Sequence, residues 1–191
     1  MNAPAPIGGH GRARDAGTEM TQDNTATGAR QLTLDLAHRP ALGAEDFFIS
    51  KSNELAVALI DAWPAWSQYG QLLVGPAASG KTHLVNVWRL RSGARMLPAA
   101  ELSDEYLLDL DARQPLAVED IDRGSIDEES LFHLLNRVRE ADGRLLLTAR
   151  CLPAHLSLQL KDLRSRRDAL PLVGIEQPDD DLLRAVIVKQ F

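Results

Sequence analysis

The chain has 191 residues, enough for one domain with a sizeable core and too few for two large domains. Its net charge of −6 argues against a domain that grips duplex DNA by its phosphates, because each such contact needs a cation. Cys151 is the only cysteine, so no intrachain disulfide can form and a reducing compartment is expected. The sequence has no apolar run near the roughly 18 residues of a membrane span and no secretory signal pattern. We therefore expect a cytoplasmic protein.

The N-terminal part of the chain divides into two segments. Residues 1–30 are rich in Ala, Gly, Thr, Asn and Pro and carry almost no large apolar side chains, which predicts a disordered tail. The segment RQLTLDL follows, with leucines at every second position over residues 31–36. This alternation is typical of an extended peptide that docks in an apolar pocket, and equally of a first β-strand of the domain.

From Glu45 onward, helical and strand-like patterns alternate. Helices are predicted at 50–63, 80–90, 101–110 and 128–140, and strands at 71–74, 96–99, 116–118 and 144–148. Ser50 is the expected cap of the first helix and Pro64 its stop. Alternation of this kind indicates an α/β fold in which helices cover both faces of a parallel sheet.

A glycine-rich loop joins the first predicted strand to the next helix. Its residues fit the pattern G-x-x-x-x-G-K-[ST] at every defined position: Gly75, Pro76, Ala77, Ala78, Ser79, Gly80, Lys81 and Thr82. Backbone N–H groups of such a loop bind phosphates, and the helix directs its positive end at them. We expect Lys81 to neutralise the β- and γ-phosphates and the Thr82 hydroxyl to bind Mg²⁺. The alternative is a chance glycine turn before a helix.

An acidic pair follows the third predicted strand, in LAVEDID over residues 116–122. A P-loop needs a carboxylate at the end of a neighbouring strand, to hold Mg²⁺ and to orient the attacking water. Glu119 and Asp120 are therefore the candidate catalytic carboxylates, with Glu119 beside Thr82 as a candidate Mg²⁺ ligand. The alternative is a strand-end turn with solvated acids, and Asp122 is expected to face solvent.

Four stretches together resemble the AAA+ family, and specifically its branch around the bacterial replication initiator DnaA: GKTHL (80–84), LAVEDID (116–122), LLLTAR (145–150) and DLRSRRDALPLVGIEQPDDD (162–181). The resemblance implies that His83 lies near the nucleotide, although packing under the helix is an equal alternative. It implies that Thr148 is the sensor 1 residue. It also implies that Arg166 is an arginine finger that reaches ATP held by a neighbouring subunit. The alternative for Arg166 is a solvated helix end shared with Arg164 and Arg167.

RQLTLDL is similar to the Q-L-x-L-x-L peptide by which bacterial proteins dock on the sliding clamp, with Gln31, Leu32, Leu34 and Leu36 as the docking residues. A clamp peptide joined to a DnaA-like core resembles the Hda family of regulatory inactivators of DnaA. The resemblance implies an AAA+ core over residues 42–177 that binds ADP or ATP with Mg²⁺. Its implied partners are DnaA and the sliding clamp (the β subunit of DNA polymerase III), with DNA contacted only indirectly, no membrane, and a homo-oligomer allowed. The alternative is a self-standing AAA+ ATPase, such as a helicase loader, or a DnaA-like initiator fragment.

The sequence departs from that family in three places. The C-terminal helical lid is largely missing, and residues 178–191 would cover only its start. Ala149 and Arg150 stand where the initiator has an acidic residue after the sensor threonine. Glu119 takes the first acidic position, where an aspartate is usual. These departures predict weak ATP hydrolysis by the chain itself and an activity exerted on a partner.

Overall fold

A computed structural model describes residues 49–177 of the chain. The predictions of a disordered tail, a clamp peptide and the start of a lid fall on residues outside this range. Within it, the strands are β1 (Gly70–Val74), β2 (Arg95–Pro98), β3 (Leu116–Glu119), β4 (Leu145–Ala149) and β5 (Leu172–Gly174). The helices are α1 (Glu54–Asp61), α2 (Lys81–Ser92), α3 (Asp104–Leu108), α4 (Glu128–Glu140) and α5 (Lys161–Asp168), with 3₁₀ turns at Ala99–Glu101 and Pro153–His155. No helix in this range is long and apolar enough to cross a membrane.

The five strands form one parallel sheet in the order β2-β3-β4-β1-β5. β4 therefore lies between β1 and β3, and Leu145 is in register with both Gly70 and Leu116. Parallel neighbours need long crossover connections, which the helices provide. The predicted parallel sheet is confirmed.

Helices cover both faces of the sheet, as two separate clusters of buried side chains show. Leu145 and Leu147 of β4 pack with residues of α3, α4 and α5, whereas Leu146 packs with residues of α1 and α2. Successive strand residues point to opposite faces, so a central strand buried on both sides needs a continuous apolar run. The run Leu145–Leu147 meets that need.

Three tryptophans belong to the cluster under α1 and α2. The rings of Trp66 and Trp88 stack with centroids 5.1 Å apart, and Trp63 packs edge-on against both at 5.2 and 5.4 Å. Trp88 is fully buried, and the Trp66 indole N–H donates to the Leu59 carbonyl at 2.8 Å. These contacts make the three rings part of the core.

Two helices are shorter than predicted because their caps differ. α1 begins at Glu54 with Asn53 as its N-cap, whereas Ser50 lies one turn earlier and donates its N–H to Asn53 Oδ1 at 3.0 Å. The helix predicted over residues 101–110 forms only as α3, because Ser103 accepts the Tyr106 N–H at 3.2 Å and so sets its first turn. α4 has the predicted bounds.

Asp127 caps α4, and its replacement by alanine is expected to lower the free energy of unfolding by about 1–2 kcal/mol. The carboxylate accepts the N–H groups of Glu129 and Ser130, each at 3.1 Å, and the Ser130 hydroxyl at 2.9 Å. The Ser130 hydrogen bonds hold the pKa of Asp127 below its ordinary value of 3.8. This stabilisation is therefore present above pH 3.8 and is lost as the pH falls through the lowered pKa of the folded state.

Urea unfolding at pH 7 and at pH 3 measures the stability that the Asp127 cap contributes and the dependence of that contribution on pH. Asp127→Asn is the control, since asparagine also caps helices and has no charge to titrate. We expect Asp127→Asn to be nearly as stable as wild type at pH 7 and less dependent on pH. Equal stability of wild type and Asp127→Ala at pH 7 would show that the cap contributes nothing.

Candidate functional site

The predicted site residues follow three strands that end at the same edge of the sheet. The glycine-rich loop follows β1, the acidic pair ends β3, and Thr148 lies near the end of β4 between them. In open α/β sheets, ligands bind outside the carboxyl ends of the strands. Side chains from residues 77–83, Asp120 and Arg150 line an open pocket of about 280 Å³ at this edge.

Lys81, the first residue of α2, folds back over the loop that precedes it. Its Nζ donates to the carbonyls of Gly75 and Pro76, both at 2.7 Å, and the residue is buried. Burial lowers the pKa of Lys81, the nearby Asp120 carboxylate acts in the opposite direction, and the Arg150 charge lowers it further. Lys81 thus places an ammonium group on the pocket wall, at the positive end of a twelve-residue helix.

The two glycines of the motif are required for different reasons. Gly80 caps α2 with φ 96° and ψ 7°, a left-handed conformation that favours glycine. Gly75 is needed for space, since a Cβ there would lie 2.6 Å from the Ile175 carbonyl oxygen and 2.8 Å from Ser79 Oγ. Ala78 also has positive φ, at 60°, so the loop holds one strained non-glycine residue.

Gly75→Ala is expected to lower the free energy of unfolding by about 1–3 kcal/mol, because the Ile175 backbone and the Ser79 side chain must shift to admit the methyl group. Gly174→Ala is the matched control, because a Cβ at that position meets nothing within 4 Å. Thermal unfolding of the two variants makes the comparison. A Gly75→Ala protein as stable as the Gly174→Ala protein would contradict the packing described for the loop.

The acidic side of the pocket is built around Asp120. Its N–H donates to Thr148 Oγ1 at 2.9 Å, so the fully buried Thr148 fixes the turn in which Asp120 takes φ 56°. Asp120 Oδ2 lies 3.3 Å from Arg123 Nη1 and 3.6 Å from Arg150 Nη2. Glu119 is half-buried, pairs in register with Pro98 of β2 and does not line the pocket. Of the acidic pair, Asp120 is the carboxylate that the structure brings to the P-loop.

Asp122 does not face solvent as expected. Its Oδ2 accepts the N–H groups of Arg150 at 2.7 Å and of Cys151 at 2.9 Å, so it ties the loop after β3 to the loop after β4. Burial, and next the hydrogen bond to Asp122, raises the pKa of the Cys151 thiol. The expectation was wrong because the two backbone donors belong to the loop after β4, which is distant in sequence.

The remaining predicted residues divide between the pocket and its surroundings. Thr82 and His83 line the pocket, and burial lowers the pKa of His83. Arg166 is half-buried on α5 and is absent from the lining. The alternative for Arg166, a solvated helix end shared with Arg164 and Arg167, does not fit Arg167, which is only 5% exposed and whose Nη2 donates to Asp168 Oδ1 at 2.7 Å. Arg167 follows the buried Leu163 by four residues and shares its inward face.

The position of Arg150 in the lining of the pocket was not predicted from the sequence. Arg150 was considered there only as a residue that differs from the acidic residue of the initiator. The available signal was its position directly after a buried strand at the carboxyl edge of the sheet. With Lys81 it gives the pocket two cations, and Ser79 Oγ is buried there without a hydrogen-bond partner within residues 49–177.

These groups fit a bound polyphosphate. Among the described residues, no group of three or more His, Cys, Asp or Glu side chains could hold a metal ion.

The chain is similar in structure to replication initiators. It superimposes on AMPPCP-bound DnaA from Aquifex aeolicus with a TM-score of 0.65 and 20% identity, over 80% of this chain and 54% of that one. For domain III of DnaA from Thermotoga maritima the TM-score is 0.63 and the identity 17%, over 76% of this chain and 71% of that one. The sheet and its flanking helices are those of the AAA+ P-loop NTPase fold, which confirms the predicted fold class.

Similarity of the same kind extends to a helicase loader. The DnaC helicase loader matches with a TM-score of 0.50 and 16% identity, over 66% of this chain and 92% of that one. The chain covers 52–55% of the length of a DNA replication initiation factor and of two DnaA structures that it matches. No protein-family model and no curated protein matches the chain.

Proposed function

We propose that the chain binds ADP or ATP with Mg²⁺ in the pocket at the end of β1. The observation that carries the proposal is the convergence of Lys81, Arg150 and loop residues 77–80 on one opening, which Asp120 also lines. The loop and Lys81 would hold the phosphates, and Thr82 with Glu119 or Asp120 would hold the metal. When bound, Mg²⁺ neutralises phosphate charge. The similarity to a DnaA structure that contains AMPPCP supports an adenine nucleotide.

Beyond binding, we propose that the chain regulates replication initiation by acting on ATP held by DnaA. Arg166 is the proposed arginine finger, and Gln31, Leu32, Leu34 and Leu36 are the proposed clamp-docking residues. Arg166 lies on α5 and does not line the chain's own pocket, which suits a group that acts on a neighbour's nucleotide. A cation placed against the developing γ-phosphate charge accelerates hydrolysis on the order of 10³-fold or more in P-loop systems. Hydrolysis of the initiator's ATP would then repress re-initiation.

The second candidate is a self-standing AAA+ ATPase of the helicase-loader kind, which the structural similarity to DnaC favours. Such an enzyme needs a carboxylate available to Mg²⁺ and to the attacking water. In this pocket Asp120 is paired with two arginines and Glu119 is absent from the lining, which favours the first candidate. Steady-state ATP turnover by the chain alone discriminates the two, because only the loader hypothesis requires it.

Clamp binding tests the regulatory proposal at its first step. The triple variant Gln31→Ala, Leu32→Ala, Leu36→Ala is expected to lose binding to an immobilised sliding clamp, because docking peptides bind through such side chains. The variant Thr33→Ala, Asp35→Ala is the matched control, since it changes the alternate positions of the same segment. Failure of the wild-type chain to bind the clamp, or equal binding by the triple variant, would contradict the proposed role of this segment as a clamp-docking peptide.

A further inference from the structure

Arg150 is anchored by its backbone, and its side chain is exposed and weakly paired. Its N–H donates to Asp122 Oδ2 at 2.7 Å, which anchors the start of the loop after β4. The side chain is 40% exposed, and its guanidinium approaches the Asp120 carboxylate at 3.6 Å. An ion pair this long and this exposed adds little stability, so breaking it costs little.

The charges around the pocket favour a change of partner for Arg150. Two cations, Lys81 and Arg150, line the pocket with one carboxylate, Asp120. Asp120 has a second partner in Arg123, at 3.3 Å, and Arg123 does not line the pocket. Asp120 would therefore keep one arginine if Arg150 moved away. Phosphate offers a guanidinium paired, charge-assisted hydrogen bonds, which are stronger than the contact it would give up.

We propose that Arg150 is a second phosphate-binding cation of this site and that Asp120 pairs with it when no nucleotide is bound. On nucleotide binding, the guanidinium exchanges the Asp120 carboxylate for phosphate oxygens, and Asp120 keeps its ion pair with Arg123. The inference rests on the proposed nucleotide binding and adds a residue and an exchange to it.

Calorimetric titration of the full chain with ADP and with AMPPCP, in EDTA and in Mg²⁺, tests the exchange. Arg150→Gln is expected to weaken binding about tenfold, and Arg150→Lys to weaken it less, since lysine keeps the charge. Arg89→Gln is the matched control, because Arg89 is an exposed arginine in the last turn of α2 that does not line the pocket, and its affinity should stay within about twofold of wild type. The Asp122 hydrogen bond is made by the backbone, so it is retained in both Arg150 variants.

A double-mutant cycle tests the competition between Asp120 and phosphate. In EDTA, Asp120→Asn is expected to strengthen nucleotide binding, because it frees Arg150 and removes a negative charge from the pocket. In the Arg150→Gln background, the gain in nucleotide affinity from Asp120→Asn should be at least about threefold smaller. No arginine is released there, so the loss of the Asp120 negative charge is the remaining cause of tighter binding.

Each outcome has a separate meaning. Wild-type affinity in Arg150→Gln, or an equal gain from Asp120→Asn in both backgrounds, would overturn the exchange while leaving nucleotide binding intact. Absence of binding by the wild-type chain would overturn the proposed nucleotide binding, and this inference with it.

Discussion

Lys81→Ala is expected to raise the dissociation constants for ADP and ATP about 100-fold or more. The ammonium group is the buried cation of the pocket, held by the Gly75 and Pro76 carbonyls at 2.7 Å. Those contacts place it beside the phosphate-binding loop before any nucleotide arrives, so little ordering entropy is lost on binding. Alanine removes the charge and both contacts but keeps a good helix former at the first position of α2.

Lys161→Ala is the matched control for this experiment. Lys161 is also the first residue of a helix, α5, and it is exposed and away from the pocket. Titration with fluorescent ADP and ATP derivatives should show wild-type affinity for Lys161→Ala. A Lys81→Ala protein that binds as well as wild type would show that this pocket is not where the phosphates bind.

Arg166→Ala is expected to remove most of the acceleration that the chain gives to hydrolysis of DnaA-bound ATP, a loss on the order of 10³-fold. An arginine finger acts in the transition state, where its charge meets the charge that develops on the γ-phosphate. Arg166 is half-buried and does not line the chain's own pocket, so the variant should keep wild-type affinity for ADP and ATP. Single-turnover hydrolysis and nucleotide titration of the same preparation measure both.

Arg164→Ala is the appropriate control for Arg166, because Arg164 is an exposed arginine on the same helix. Arg167 would be a poor control, since it is only 5% exposed and its removal would disturb packing on the inner face of α5. Equal loss of stimulation in Arg164→Ala and Arg166→Ala would indicate a general basic surface. Full stimulation by Arg166→Ala would show that Arg166 is not the arginine finger.

The sequence predicted most of the sheet because the signals for buried strands and for a P-loop are local. The apolar runs before Gly75 and Glu119, and the run over residues 145–147, became β1, β3 and β4. Helix ends were predicted less well. Ser50, Asn53 and Ser103 are all good capping residues, and which of them caps depends on the turn in which tertiary packing holds it.

The site was predicted where one contiguous motif builds it and missed where separate strands meet. Lys81 and Gly75 follow from their spacing alone. Asp122 and Arg150 are 28 residues apart, and their hydrogen bond exists because β3 and β4 are neighbours in the sheet. Strand order was the missing information for that contact. The burial of Arg167 depends instead on packing, which sets the inward face of α5 and is not visible in its charge pattern.

The most direct test of the proposed regulation is single-turnover hydrolysis of radiolabelled ATP bound to DnaA, in the presence of DNA-loaded clamp, with and without the full wild-type chain. The account predicts that the chain accelerates conversion of this ATP to ADP on the order of 10³-fold. It also predicts that ATP turnover by the chain alone stays far slower. An unchanged DnaA hydrolysis rate, measured with a chain that binds both nucleotide and clamp, would contradict the proposed action in trans.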